Sequence, residues 1–304
     1  MDLRQLRYFR AVAEEKQITK AANKLHMAQP PLSKQMKLME EELNVRLFDR
    51  QGRVLELTKA GEILYQKAGH ILSDFEDVLV EVRETSEGIR GPINIGANKS
   101  CFSFLSATLN RFQVNHPNVC YQLREGDTYL LEECIRNREI ELAVVRKPLY
   151  SEEIDTLPLP SEPYVLVYPN TWELTSDDDE HIKFAQLKDI PLMLLHRIKG
   201  TGQFELIVEE FRAQGVEPNV ICECPDAAML LSLVSSGMGA TIVPESTLSA
   251  FPFQHLKSYK LANTNITAKS VVIWHKDRYL TKASHQLIQT FKEQFFHEQP
   301  KILL

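Results

Sequence analysis

What this sequence lacks narrows its function before any motif is read. No stretch approaches the ~18 consecutive apolar residues of a membrane-spanning helix, so no membrane partner is expected. There is no glycine-rich phosphate loop, no serine-centred nucleophile elbow and no HExxH, and the nine histidines are dispersed. An enzyme is therefore not expected, and neither a metal nor a cofactor. His196 is the best single candidate for an acid or base, and the sequence shows no evident partner for it. Cysteine is scarce: Cys101, Cys120, Cys134, Cys222 and Cys224 are odd in number and scattered, which fits a reducing cytosol better than a disulfide framework. Met1-Asp2-Leu3-Arg4 runs straight into a mixed helix without a signal-peptide pattern, so a cytoplasmic protein is expected.

What is present is ample core material and an uneven charge. The 304 residues are 43% hydrophobic, enough for about two to three domains. Residues 1–62 hold 12 Lys and Arg against 9 Asp and Glu, a net of +3 in a chain of net −6, which leaves −9 for the remainder. A basic front on an acidic body suits a DNA-reading head carried by a soluble sensor.

The stretch from Gln17 to Arg53 organises the chain. Thr19 to Leu25 reads as a short helix with Thr19 as N-cap, and Ile18, Ala21, Ala22 and Leu25 face inward at helical spacing. His26-Met27-Ala28 is the turn. Gln29-Pro30-Pro31 starts a second helix, because a first helical turn tolerates proline. Leu32, Met36, Met39 and Leu43 form its buried stripe. Its opposite face shows Gln29, Ser33, Lys34 and Lys37, side chains suited to phosphates and base edges in a major groove. An ordinary helical hairpin with a solvated basic face would read similarly. Before this pair lies a helix marked by Leu3, Leu6, Phe9 and Ala13. Its Arg4, Arg7 and Arg10 could touch a DNA backbone or simply be solvated. After it, Asn44–Arg50 and Val54–Leu57 read as two strands joined by Gln51-Gly52-Arg53, with Arg50 and Arg53 at a basic tip.

Thr58 caps a long helix expected to run to about Gly88, where Gly88, Gly91 and Pro92 stop it. Leu64, Ala68, Ile71, Phe75, Val78 and Val82 alternate 4, 3, 4, 3, 4, an unbroken heptad seam widened by Leu72 and Leu79. A rod with no core of its own to cover that seam is expected to pair with a second copy; packing onto the rear domain is the alternative. From Ile93 onward, strands and helices alternate. Strands are expected at 93–97, 119–124, 141–145, 164–168, 191–195, 220–223, 240–243 and 270–274. Helices are expected at 102–115, 128–137, 203–213, 226–236 and 281–296. Leu130, Leu131, Cys134 and Ile135 would face inward on one helix. Ser176–Glu180 reads as an exposed acidic loop. Cys222 and Cys224 would share one strand face and pack. Two βα units joined by two crossings would leave a cleft between lobes, where ligands meet strand ends and helix N-termini.

Met1–Phe9, Ala21–Ser33, Leu47–Arg50 and Leu57–Gly61 closely resemble the LysR-type transcriptional regulators in order and spacing, and Val234–Pro244 adds a shorter phrase. The resemblance implies a winged helix-turn-helix (1–58), a linker and dimerisation helix (59–90), and a two-lobed effector domain like a periplasmic binding protein. Its lobe I would be 91–163 with 267–304, and its lobe II 164–266. Double-stranded promoter DNA and a homodimer or homotetramer are the implied partners. Base-contacting positions carry over to Gln29, Pro30, Pro31, Ser33, Lys34 and Lys37, with Arg50 and Arg53 in the wing. Effector-contacting positions carry over to Asn98, Lys99, Ser100, Cys101, Thr128 and Arg146, with Arg197, Lys199, Gly200, Thr201 and Gly202 on the far side. Hydroxyls at helix N-termini, with Lys99 and Arg146, would hold the carboxylate of a small organic acid. Plainer readings make Ser100 and Thr128 N-caps and pair Arg146 with Glu153 or Asp155. Rival functions are a DNA-binding regulator without a small effector, a redox response through Cys101, or an enzyme with an accessory head.

Overall fold

The computed structural model describes residues 1–51, 54–84, 89–176, 180–197 and 202–296. The readings placed on Gly52, Arg53, Gly88, 177–179 and Lys199–Thr201 fall outside these. The chain divides into two compact units, Met1–Ser86 and Glu87–Leu304.

The front unit is α1 (Leu3–Glu15), α2 (Ile18–Lys24), α3 (Gln29–Leu43), the hairpin β1 (Phe48–Gln51) and β2 (Val54–Leu57), and α4 (Lys59–Glu84). Asp2 and Gln5 cap α1 reciprocally: Gln5 N–H donates to Asp2 at 2.8 Å, and Asp2 N–H to Gln5 at 2.9 Å. The N-cap of α2 is Gln17 and not Thr19, because the chain is already helical at Ile18. Ala21 and Ala22 are buried, which lets α3 cross closely. His26, at φ 51°, makes the turn between them. Pro30 and Pro31 occupy the first turn of α3 as expected. Its last turn departs from the reading: Leu43 is 37% exposed, and Asn44 is a left-handed C-cap at φ 53°. Strand pairing therefore begins at Phe48, not Asn44. Glu40 fixes the intervening bend by accepting from Leu47 N–H (2.7 Å) and Phe48 N–H (3.2 Å).

Thr58 does cap α4, accepting from Gly61 N–H at 3.0 Å. Gly61 is required there, since a Cβ would lie 2.1 Å from the carbonyl oxygen of Leu47. The heptad seam has two fates. Ala68 is buried in the head core, with Leu64 and Leu72 packed against it, whereas Ile71, Phe75, Val78 and Val82 are exposed. The expectation that the rod has no core on its own chain is thus corrected for its first turns.

The rear unit runs β3 (Gly91–Ala97), α5 (Phe102–Asn115), β4 (Val119–Glu125), α6 (Thr128–Arg136), β5 (Leu142–Arg146), β6 (Ile154–Pro158), β7 (Glu162–Pro169), β8 (His181–Ile182), β9 (Leu192–Leu195), α7 (Gln203–Ala213), β10 (Val220–Cys224), α8 (Ala227–Ser235), β11 (Ala240–Pro244), α9 (Glu245–Ala250), β12 (Leu256–Leu261), β13 (Thr267–Ala268), β14 (Ser270–His275) and α10 (Lys282–Phe296). One sheet is ordered β4-β3-β5-β14-β6 and the other β10-β9-β11-β7-β12-β8, with β13 beside β7. The chain leaves the first lobe between β6 and β7 and returns between β13 and β14, giving the two crossings expected. Each sheet is covered on both faces, so its central strands read as continuous apolar runs. Cys222 and Cys224 do pack on one face, against α8. Leu130 does not turn inward; it is 38% exposed and lines the space between the lobes.

Candidate functional site

Two places collect the candidate residues. The first is the outer face of α3. Gln29, Pro30, Pro31, Lys34 and Lys37 are exposed and Ser33 half-buried. All of these except Pro31 line a shallow groove of about 650 Å³ that Phe48 and Leu55 of the hairpin also border. Lys37 is loosely paired with Glu41 at 3.5 Å. Arg50 lies in β1 opposite Leu55; its side chain, like all of Arg53, falls outside the described residues. Of the α1 arginines, Arg7 pairs with Glu76 (2.5 Å) and Arg10 with Glu14 (3.2 Å), so both have partners within the front unit.

The second place is a cleft of about 790 Å³ between the lobes of the rear unit. Parallel strands β3, β4 and β5 deliver their C-terminal ends to it. Asn98, just after β3, ties those ends together: its amide donates to Gly126 O (2.6 Å), and its oxygen accepts from Arg146 N–H (2.7 Å). Thr128 is wholly buried and donates to Arg146 O at 2.9 Å. It is neither a lining residue nor the cap of α6; Asp127 is that cap, accepting from Leu130 N–H. Asn98 thus lines the cleft, and Thr128 braces the strand ends from within the fold.

Arg146 is only 10% exposed and pairs with Glu162 at 2.9 Å, not with Glu153 or Asp155. It also donates to the Ser100 carbonyl at 2.5 Å. Glu162 in turn accepts from Ser246 N–H (2.6 Å) and hydroxyl (2.8 Å). The Arg146 charge is therefore compensated within the fold. Lys99 forms an ion pair with Asp226 on the opposite wall, both partly exposed. The hydrogen bond to Asp226 raises the Lys99 pKa. Partial burial pushes the Asp226 carboxyl up, but the hydrogen bond and charge of Lys99 together with the Met229 and Ala228 amides outweigh it and hold the group below its ordinary value. Arg197, from the second lobe, donates to Arg146 O (3.0 Å), Lys147 O (3.3 Å) and the Tyr150 hydroxyl (3.1 Å) of the first. Gly202 opens α7, its N–H donating to Glu205 at 2.6 Å, and a Cβ there would strike the Arg197 side chain.

Two readings need correction. Cys101 does not line the cleft: it is wholly buried in the first lobe's core, 3.6 Å from the Ser270 hydroxyl, and burial pushes its thiol pKa up. A buried thiol of raised pKa is a poor oxidant sensor. His196 is not without partners; Glu205 and Glu223 lie 3.8 and 4.0 Å away, and its ring stacks edge-on against Phe204. Sequence reasoning missed Glu162, Asp226, Tyr150 and Tyr164. Tyr164 lines the cleft with its hydroxyl pKa pushed up to about 12 by burial. Asp226 alone carried a local signal, as an acidic residue preceding an apolar helical run.

A helix-turn-helix head with a hairpin wing, followed by a two-lobed α/β domain with an interlobe cleft, is the architecture of a ligand-responsive DNA-binding regulator. This chain belongs to the LysR family. Residues 3–62 match the model of the bacterial regulatory helix-turn-helix protein, lysR family, and residues 86–296 match that of the LysR substrate binding domain. The HTH-type transcriptional regulator BsdA of Bacillus subtilis (strain 168) is 36% identical over 292 residues, covering 96% of this chain and 100% of its own. The crystal structure of full-length BenM aligns at TM-score 0.57 and 28% identity, covering 98% of each chain. Full-length CbnR in complex with its target DNA aligns at TM-score 0.69 over 97% of this chain and 99% of that one; at 24% identity it shows the shared fold. The protein is a DNA-binding transcriptional regulator with an effector-binding domain, and not an enzyme.

Proposed function

We propose that this regulator reads promoter DNA through the exposed face of α3, pairs through the outer half of α4, and responds to a small organic carboxylate held between the rear lobes. The observation that carries the effector reading is the cleft itself. About 790 Å³ suits a small molecule, and Leu130, Leu149, Leu195 and Leu206 provide apolar wall for a ligand body. Lys99, Lys147, Arg197 and Lys269 border the same space and supply cationic character for an anionic head. Ser100 also lines it, at the turn where α5 begins. The readings at Lys199, Gly200 and Thr201 complete the far rim as expectations from the family resemblance.

On α3, Gln29 and Ser33 would meet base edges and Lys34 and Lys37 phosphates, with Pro30 and Pro31 presetting the helix start and Arg50 and Arg53 reaching from the wing. The exposed stripe from Ile71 to Val82, at heptad spacing, is the surface a helix of a second copy would cover. Effector binding would then move the lobes, shift contacts between effector domains and reset the spacing of paired heads on a homotetramer.

The test is footprinting of the full chain on its own upstream region, with and without a carboxylate panel. Ser33→Ala with Lys34→Ala should weaken binding at least tenfold, and Lys34→Ala should flatten the salt dependence by about one unit of slope. Unchanged operator affinity in the double variant would remove the α3 assignment. A panel without effect on binding or thermal stability would instead favour a regulator without a small effector.

A further inference from the structure

Lys99 and Asp226 face one another across the cleft, Lys99 on the turn after β3 in the first lobe and Asp226 at the start of α8 in the second. Both line the space assigned above to the effector. Asp226 divides its two oxygens between separate tasks. Oδ1 caps α8, accepting from Met229 N–H at 2.9 Å, while Oδ2 takes the Lys99 ammonium. Their side chains are 32% and 25% exposed, so water screens the pair and its net worth is small. A second interlobe ion pair among the described residues differs. Arg146 and Glu162 are 10% and 11% exposed, and Glu162 is held twice by Ser246. A small anion can therefore exchange with Asp226 far more readily than with Glu162.

Resting on the reading of the cleft as an anion site, we propose that Asp226 sets its affinity and selectivity by occupying Lys99 as a built-in stand-in for the effector's carboxylate. An incoming acid must displace Oδ2 from Lys99. Oδ1 keeps the helix capped throughout, so the exchange leaves α8 intact. A neutral analogue of the same shape cannot replace Asp226 and leaves the pair closed. Glu125 lines the same space and its charge also acts on Lys99. Asp127 and Glu209 line the space as well, so acids enter against several carboxylates, which selects for ligands that engage Lys99 directly.

Isothermal titration of the full-length protein with benzoate and succinate, and with their amides benzamide and succinamide, tests this. Asp226→Asn retains a capping oxygen, and Asn caps helices as well as Asp does. It should tighten binding of whichever acid the wild type prefers by about 2–5-fold, the size of one screened charge contact, and leave the amide unchanged. Lys99→Gln should weaken the acid, and adding Asp226→Asn to it should restore nothing. If an acid binds the wild type but Asp226→Asn shows no gain, or gains equally for the amide, the stand-in role is overturned while the anion site stands. If neither acid binds the wild type or Asp226→Asn, the anion site and the stand-in role fall together. Asp226→Ser, which also caps, checks that a gain in Asp226→Asn follows from lost charge.

Discussion

At the scale of single residues, two of the charge pairs in the rear lobes, Arg146–Glu162 and Lys99–Asp226, differ in strength, and burial decides which is structural. Removing Glu162 would strand the buried Arg146 guanidinium. Glu162→Ala should therefore cost about 3–5 kcal/mol, measured as a lowered urea midpoint of the full chain. The Lys99–Asp226 pair should contribute far less, with a defined pH dependence. A carboxyl whose folded pKa is depressed stabilises above its unfolded value, ordinarily about 3.9, and loses that contribution as pH falls through the folded value. The difference in melting temperature between wild type and Asp226→Asn should be constant near neutrality and vanish only below about pH 4. Cysteine reactivity follows burial too. Cys120 is exposed and Cys101 buried with a raised pKa, so brief iodoacetamide treatment at pH 7.5 should label Cys120 and spare Cys101. Fast labelling of Cys101 would revive a redox role.

At the scale of elements, most of the fold was legible because each element carries its own punctuation. The prolines opening α3, the Thr58 cap and the 3.6-residue periods of α5, α7 and α10 need no tertiary information. What was misplaced depends on neighbours. Asn44 looks like the start of a strand until its left-handed φ ends α3 and Glu40 claims the next amides. Short strands β6, β8, β12 and β13 went unread, because pairing partners distant in sequence create them and local pattern does not. The junction of wing and α4 gives a sharp test. Gly61→Ala would set a methyl against the Leu47 carbonyl, a backbone atom that cannot swing away. It should destabilise the front unit by about 1–3 kcal/mol, read as a lower melting temperature with weakened DNA binding.

At the scale of the whole molecule, the proposed pairing rests on an exposed apolar stripe of α4. Ile71, Phe75, Val78 and Val82 lie 38–62% exposed along α4, and solvent-facing valines and aromatics at heptad spacing call for a partner helix. Val78→Glu with Val82→Glu should shift the protein toward monomer in sedimentation equilibrium without lowering the helix content of the front unit. Operator affinity should fall with it, since paired heads share one site. A wild-type chain already monomeric at micromolar concentration would sink the pairing reading.

The sequence by itself determined the parts whose information is local: the helix-turn-helix and its caps, the heptad period, the alternation that makes two α/β lobes, and the family. Only the tertiary structure decided which charges are committed. Arg146 meets Glu162, Lys99 meets Asp226 and Cys101 sinks beneath the cleft through contacts spanning 16, 127 and 169 positions. Such pairings leave no periodic trace, because Coulomb attraction and burial act through space and not along the chain.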